Sequence, residues 1–363
     1  MIPPFRSSPR KRGPRLFLKP RGGEKFATKN TWVPAFAGMS GVVGALVVAA
    51  CASAPSTPLP IPEPKPYGPG IELQSAAVPL NPSNPAQDRI GHFVFAGGIA
   101  LTSSNTGRLH GLSDLKIMPD GMLIAVTDMG ELFQAKLQLD ANERLTGLTD
   151  GELKPLWDAD GKPLQGKENA DAEGFAVMPS GDWLVSFERN HRIWRYPFRS
   201  DSVEDASWPK TLFSDNEGME ALSPYPTAAP DAYLVGGEEG EMWLCRLTAA
   251  CTPTPRQQPP GLEYGLTAIA AFDGPAIAIL YRAYDPIRGS RAVVRILSQP
   301  LRAKPAPQVV DSFSIEGPLT RDNFEGLALV RNAKGGTRLY LLSDDNFSPT
   351  QRTLLLAFDW QPK

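Results

Sequence analysis

Gly111-Leu-Ser-Asp-Leu115 returns, with changes, as Gly174-Phe-Ala-Val-Met178, Gly218-Met-Glu-Ala-Leu222, Gly265-Leu-Thr-Ala-Ile269 and Gly326-Leu-Ala-Leu-Val330. The shared pattern is Gly, a large apolar residue, a variable residue, Ala or Asp, and a second apolar residue. Its fourth place is loosest in the second and fifth copies. Roughly 14 to 20 residues after each copy an apolar run ends in a polar or charged cluster, a spacing that suits one β-hairpin. These clusters are Thr127-Asp128, Phe187-Glu188-Arg189, Gly237-Glu238-Glu239, Tyr281-Arg282 and Ser343-Asp344-Asp345. A strand pair repeated five times predicts a closed radial array, and the recurring acids mark where its chemistry would sit.

Around the phrases the chain reads as short apolar runs punctuated by turn residues. Met122-Leu-Ile-Ala-Val126 follows Pro119-Asp-Gly121, and Trp183-Leu-Val-Ser-Phe187 follows Pro179-Ser-Gly181. Helical periodicity is almost absent. Three or four strands per unit, five clear units and a partial unit at Ile90 to Leu101 predict an all-β fold, a β-propeller of six blades. The first and last strands are expected to complete one blade, because a ring left open exposes a strand edge. A pair of β-sandwiches is the competing architecture, but it does not need the repeated phrase.

The N-terminal part is built differently. Residues 1–50 carry nine Lys/Arg and one acid, and end in the apolar run Gly41-Val-Val-Gly-Ala-Leu-Val-Val-Ala-Ala50. That run is too short to span a bilayer and suits the apolar segment of a signal peptide. Val48-Ala49-Ala50-Cys51 resembles a bacterial lipobox, which makes Cys51 the expected lipidation site. The basic leader is either a long signal n-region or the product of a start assigned upstream of Met39, with a nucleic-acid arm as the disfavoured third reading. From 51 to 70 a Pro-rich stretch predicts an extended tether. The propeller domain is expected over 71–363, held at the cell envelope through a lipid anchor and facing the periplasm or the surface, as a monomer.

Removing residues 1–50 leaves 28 basic and 38 acidic residues, a formal net of about −10. An acidic domain does not seek phosphate backbones, so nucleic acid is not an expected partner. Cys245 and Cys251, six positions apart, are expected to form a disulfide in an oxidising compartment. The histidines, His92, His110 and His191, have no zinc-ligand spacing with the cysteines. No Gly-x-Ser-x-Gly elbow, phosphate-binding loop or dinucleotide fingerprint is present. His191, beside the acidic end of a strand, is the best candidate for a catalytic His, with a structural role as the alternative.

Glu173, Glu217 and Glu325 immediately precede the glycines of three of the phrases, and acids recur at the strand ends. Carboxylates gathered at one mouth repel unless protonated or bridged by cations, so a hard cation such as Ca²⁺ or Mg²⁺ is the natural partner. Taken singly, each acid has a plain structural alternative as a turn cap or an arginine partner.

Asp171-Ala-Glu-Gly-Phe-Ala176, Ser186-Phe-Glu-Arg189, Asn216-Glu-Gly-Met-Glu-Ala-Leu222, Asp322-Asn-Phe-Glu-Gly-Leu-Ala328 and Leu342-Ser-Asp-Asp-Asn-Phe-Ser348 occur in that order. They resemble the phytase-like family, whose domain is described as "esterase-like activity of phytase", from roughly Gly91 to Trp360. The resemblance implies an exported propeller, and similarity to β-propeller phytases implies calcium-dependent ester hydrolysis on a small anionic or ester substrate. Carried over by motif, Asp128, Glu173, Glu220, Glu325, Asp344 and Asp345 are expected metal ligands. Glu188 is expected to act catalytically, with Arg189 contacting an anionic group. The fourth strand end departs from the family pattern: Leu280-Tyr-Arg282 stands where relatives read Leu-Glu-Arg, so the site is expected to be weakest there. Phytate itself is disfavoured, since no dense Lys/Arg cluster is visible. The competing function is a non-catalytic propeller whose acids hold structural ions while it binds a ligand or envelope partner.

Overall fold

In the computed structural model, residues 69–214, 217–301 and 307–362 are described. The leader, the tether up to residue 68 and the lipidation candidate Cys51 lie outside them. Four strands precede the first phrase: β1 (Gly70–Ile71), β2 (Leu73–Ala77), β3 (Arg89–Ile90) and β4 (Phe93–Ser103). Five antiparallel sheets then account for the chain. The first contains β5 (Leu112–Ile117), β6 (Met122–Thr127), β7 (Glu131–Leu139) and β8 (Leu145–Pro155), with β1 on its outer edge.

After the single turn of helix α1 (Lys167–Ala170), the second sheet is β9 (Ala172–Val177), β10 (Trp183–Phe187), β11 (Arg192–Tyr196) and β12 (Glu204–Asp205). The third is β13 (Ala221–Pro224), β14 (Ala232–Gly236), β15 (Met242–Arg246) and β16 (Ala249–Pro253). The fourth is β17 (Gly265–Ala271), β18 (Ile277–Asp285), β19 (Gly289–Ser298) and β20 (Gln308–Ile315). The fifth starts with β21 (Asn323–Arg331), β22 (Thr337–Asp344) and β23 (Thr353–Trp360), and continues outward through β4 to β2.

The propeller therefore has five blades, not six. The segment expected to start a sixth has no inner strand of its own. Instead β4 pairs along the free edge of β23, from Thr353↔Leu101 to Trp360↔Phe93, and β2 pairs with β4. An unpaired β23, buried from Thr353 to Phe358, would leave a row of peptide groups unsatisfied, and β4 satisfies them.

The five inner strands, β5, β9, β13, β17 and β21, pack each against the next, and β21 packs back against β5. Successive side chains point to opposite faces of a strand. On β22, Leu339 and Leu341 enter the core shared with the fourth blade, whereas Tyr340 and Leu342 enter the core shared with the first. Three further apolar cores fill the remaining interfaces between consecutive blades. Burial on both faces explains why the central strands read as unbroken apolar runs rather than alternating ones.

The inner strands share no backbone ladder, so side chains join them. Asp114, fully buried, accepts a hydrogen bond from Phe175 N at 3.0 Å. Ser223 Oγ accepts one from Ala271 N at 3.0 Å. Close approach also restricts residue size: a Cβ at Gly326 would come within 2.8 Å of Leu115. A disulfide joins Cys245 to Cys251 at the outer edge of the third blade.

Candidate functional site

Strand pairing corrects the alignment of the repeats. In the first, second, fourth and fifth blades the inner ladder skips a step, between Leu112 and Asp114, Ala172 and Phe175, Leu266 and Ala268, and Phe324 and Gly326. These are β-bulges, which re-aim a side chain at the cost of one ladder position. The equivalent segments are thus Gly111-Leu-Ser-Asp-Leu115, Asp171-Ala-Glu-Gly-Phe175, Gly218-Met-Glu-Ala-Leu222, Gly265-Leu-Thr-Ala-Ile269 and Asn323-Phe-Glu-Gly-Leu327. The second and fifth copies begin three residues earlier than their glycines suggest, because Gly174 and Gly326 occupy the fourth place of the phrase.

In this register the third place is Ser113, Glu173, Glu220, Thr267 or Glu325. The end of the second strand contributes Asp128, Glu188, Glu238, Arg282 or Asp344. Nine of these ten residues, all but Thr267, line one cavity of about 200 Å³ together with Lys167 and Asn346. Seven are carboxylates: Asp128, Glu173, Glu188, Glu220, Glu238, Glu325 and Asp344.

Two cations enter the ring. Arg282 places Nη1 3.1 Å from Glu325 Oε1 and donates to Asn323 Oδ1 at 2.7 Å. Lys167, from α1, places Nζ 2.7 Å from Asp128 Oδ2 and 2.9 Å from Asp171 Oδ1. The fourth blade therefore departs from the others by supplying a guanidinium where they supply carboxylates.

Burial is the main cause of the raised carboxyl pKa values, and facing acids add to it. Glu173 and Glu220 are both pushed well above the usual carboxylate range. Glu188 rises to about 7 and Asp344 to about 8. Burial likewise raises Asp128, Glu238 and Glu325, with Lys167 opposing the shift at Asp128 and Arg282 opposing it at the other two. Repulsion from Glu188 adds to burial in holding the Glu220 carboxyl up. Burial opposes the charge on Arg282, but its acidic neighbours outweigh that and raise its pKa.

Of the acids expected from sequence, Asp128, Glu173, Glu188, Glu220, Glu325 and Asp344 share the cavity. Asp345 turns away from its lining. Its Oδ2 meets His110 Nδ1 at 2.7 Å and accepts from Thr353 Oγ1 at 2.9 Å. Arg189 also lies outside the lining, with Nε bound to Asp171 Oδ2 at 2.7 Å. His191 sits behind Gly218, its Nε2 3.0 Å from Ser214 O and its ring against Phe213. Glu188 alone of the three residues given catalytic roles borders the cavity.

Sequence reading missed Lys167, Ser113 and the inward role of Arg282. The last was legible in principle, since Arg282 occupies the acid place of its repeat, whereas Lys167 follows no repeated pattern. A larger cleft, of about 670 Å³, lies at the opposite ends of the inner strands. Among its charged groups, Arg331 pairs with Asp273 at 2.9 Å, Arg338 pairs with Asp359 behind the lining at 2.8 Å, and Glu143 Oε2 accepts from Ala333 N at 3.3 Å.

The donor set at the acidic mouth fits a hard cation: it is all oxygen and mostly carboxylate. Oxygens of Asp171, Glu173 and Glu188 lie within 4.8 Å of one another, and the buried Asp128 Oδ1 has no hydrogen-bond partner.

Fold and site define a five-bladed β-propeller with a carboxylate-lined mouth. The chain belongs to the phytase-like family, described as "Esterase-like activity of phytase", which it matches over residues 107–347. No curated protein matches it. A solved structure provisionally described as a gluconolactonase aligns with a TM-score of 0.43 at 12% identity, covering 82% of this chain and 95% of that one.

Proposed function

We propose that this phytase-like propeller is a divalent-cation-dependent hydrolase of small phosphoesters or simple esters, with its chemistry at the carboxylate-lined mouth. The observation that carries this reading is the convergence of seven carboxylates with Arg282 on one small cavity. Ca²⁺ is the expected ion, since it accepts many oxygen ligands in flexible geometry. Glu173, Glu220, Glu325 and Asp344 would hold it, together with Asp128.

When bound, the cation supplies Lewis-acid polarisation of an ester oxygen and acidifies a water. The chain's own residues supply the rest. Glu188, with a pKa of about 7, is suited to take a proton near neutrality. Arg282 presents a guanidinium to an anionic oxygen, and Lys167 opposes the upward shift of Asp128. Export and lipid anchoring at Cys51 are part of the same proposal. They are supported by the basic leader, the short apolar run and the Pro-rich tether.

Purified protein is expected to hydrolyse p-nitrophenyl phosphate or p-nitrophenyl acetate with Ca²⁺ and to lose that activity in EDTA. Absence of turnover across both substrates, alongside a Ca²⁺-dependent rise in melting temperature, would instead establish the binding-propeller alternative. Loss of palmitate labelling in Cys51→Ser tests the anchor.

A further inference from the structure

Of the ten large apolar side chains exposed among the described residues, six stand on turns around the acidic mouth: Met129, Leu212, Leu262, Tyr284, Ile287 and Phe347. Met129 directly follows Asp128, and Phe347 ends the run Asp344-Asp345-Asn346-Phe347. Tyr284 and Ile287 belong to the β18–β19 hairpin, which reaches past Arg282. Leu212 and Leu262 lie in the connections that lead into β13 and β17 from the preceding blades, and both are wholly exposed. Single exposed apolar residues are ordinary, but a set gathered on one face around a site marks a contact surface.

The turns hold these side chains outward. Phe347 has a φ of 52°, a left-handed conformation rare for a bulky residue, and its N donates to Asp345 Oδ1 at 3.2 Å. Beside Ile287, Arg288 Nε lies 2.8 Å from Asp285 Oδ2 and its Nη2 lies 3.6 Å from Glu263 Oε1. The charges next to Leu262 and Ile287 thus offset one another, and the two aliphatic tips sit on adjacent turns. The chain enters the fold at the same end. Pro69 O accepts from Leu153 N at 2.8 Å, close to the Glu131↔Pro155 pair that opens β7 just after Met129. An anchor at Cys51 would therefore draw the mouth end toward the lipid.

We propose that this rim docks on the surface of a zwitterionic lipid bilayer, with the carboxylate-lined mouth facing the lipid. The apolar tips rise from separate turns around an acidic cavity. A protein partner is best covered by one contiguous apolar core, whereas a fluid interface takes up each tip separately. Tyr284 and Phe347 add aromatic rings, which favour the headgroup boundary. A second copy set face to face would bring two groups of seven carboxylates together, and an anionic lipid surface would meet the same repulsion. Docking requires neither the hydrolase reading nor lipidation at Cys51.

The test attaches a nitrobenzoxadiazole probe to the full chain through Leu262→Cys, Leu212→Cys or Phe198→Cys. Each carries Cys51→Ser, so that neither a lipid nor another thiol interferes; Cys245 and Cys251 are held in their disulfide. Phosphatidylcholine vesicles containing nitroxide-labelled lipid are expected to quench the probe at both rim positions. Phe198, exposed just beyond the far end of β11, should give a probe that stays unquenched. Each probe reports its own position, so vesicle binding by the N-terminal apolar run does not imitate docking of the rim. High salt should leave the quenching intact, because the contact is apolar.

Leu262→Ser combined with Ile287→Ser is expected to weaken the vesicle affinity read by the Leu212→Cys probe by about ten-fold or more. Both side chains are exposed, so an unchanged melting curve confirms folding. Unquenched rim probes, equal quenching at Phe198→Cys, or an affinity that survives the paired serine substitutions overturns the proposal. So does a dimer that forms without vesicles and is dissolved by the same substitutions, since the rim would then cover a second copy. Turnover of soluble p-nitrophenyl phosphate, or its absence, bears on the hydrolase reading alone.

Discussion

Arg282 Nη1 lies 3.1 Å from Glu325 Oε1, so the guanidinium of the fourth blade neutralises a carboxylate of the fifth at the propeller's mouth. Glu325, Glu220, Glu238 and Glu173 all act to keep Arg282 charged. This one cation tempers the mutual repulsion of the acids.

Arg282→Gln is expected to lower kcat/KM for p-nitrophenyl phosphate by about ten-fold or more, while tightening Ca²⁺ binding. Removing a positive charge from the ring favours a mobile cation in its place. Parallel kinetics and calcium titration check both halves; weakened calcium binding would contradict this placement.

Without metal, the chain is expected to lose stability as pH rises from about 4 to about 8. Glu188 and Asp344 titrate near 7 and 8 when folded, so the native state holds protons that the unfolded chain releases in the ordinary carboxylate range. More protons bound to the native state means stability that is full below the unfolded values and lost through the folded ones. Saturating Ca²⁺ should flatten this slope. Melting curves at about pH 5 and 8, with EDTA or Ca²⁺, provide the measurement.

Glu173→Gln combined with Glu220→Gln is expected to abolish the Ca²⁺-dependent rise in melting temperature. A ligand present at 100 times its Kd stabilises by about 2.7 kcal/mol, which corresponds to several degrees in a domain of this size. In EDTA at about pH 8 the same double variant should melt above the wild type, because it lacks two buried carboxyls whose ionised forms burial and facing acids disfavour. A purely structural role for these acids predicts a lower melting temperature in both conditions.

Ser186→Ala is expected to cost about 1–3 kcal/mol and to disturb the mouth. Its buried hydroxyl accepts from Gly174 N at 2.8 Å and donates to Met219 O at 2.6 Å, tying the second-blade bulge to the third blade. Chemical denaturation measures the loss. A calcium affinity lowered in step would show that the bulge positions Glu173.

Leu341→Ala, in the core between the fourth and fifth blades, is expected to destabilise by about 2–5 kcal/mol without changing calcium affinity. Urea denaturation with a parallel calcium titration separates the two effects.

Strand existence and the acid-bearing repeat were legible because both rest on local signals: turn residues, apolar runs and acids at strand ends. Blade number was misread because Phe93–Ser103 carries the same local signal as any blade strand, and only its pairing with Thr353–Trp360 shows which sheet it joins. The phrase register slipped in two copies because glycine is the most visible punctuation, yet Gly174 and Gly326 answer to close packing between inner strands rather than to the start of the repeat. Lys167 was invisible for a different reason. It comes from a single helical turn outside every repeat.

The sequence by itself determined an all-β radial array with carboxylates at equivalent strand ends, since side-chain alternation and turn chemistry act over a few residues. Tertiary structure alone decided that five blades close the ring, that bulges turn Glu173 and Glu325 inward, and that Arg282, Arg321 and Arg352 share one cleft. Those three arginines lie on separate segments, far apart along the chain, and no local preference links them. Only the packing of the fourth blade against the fifth sets their charges side by side.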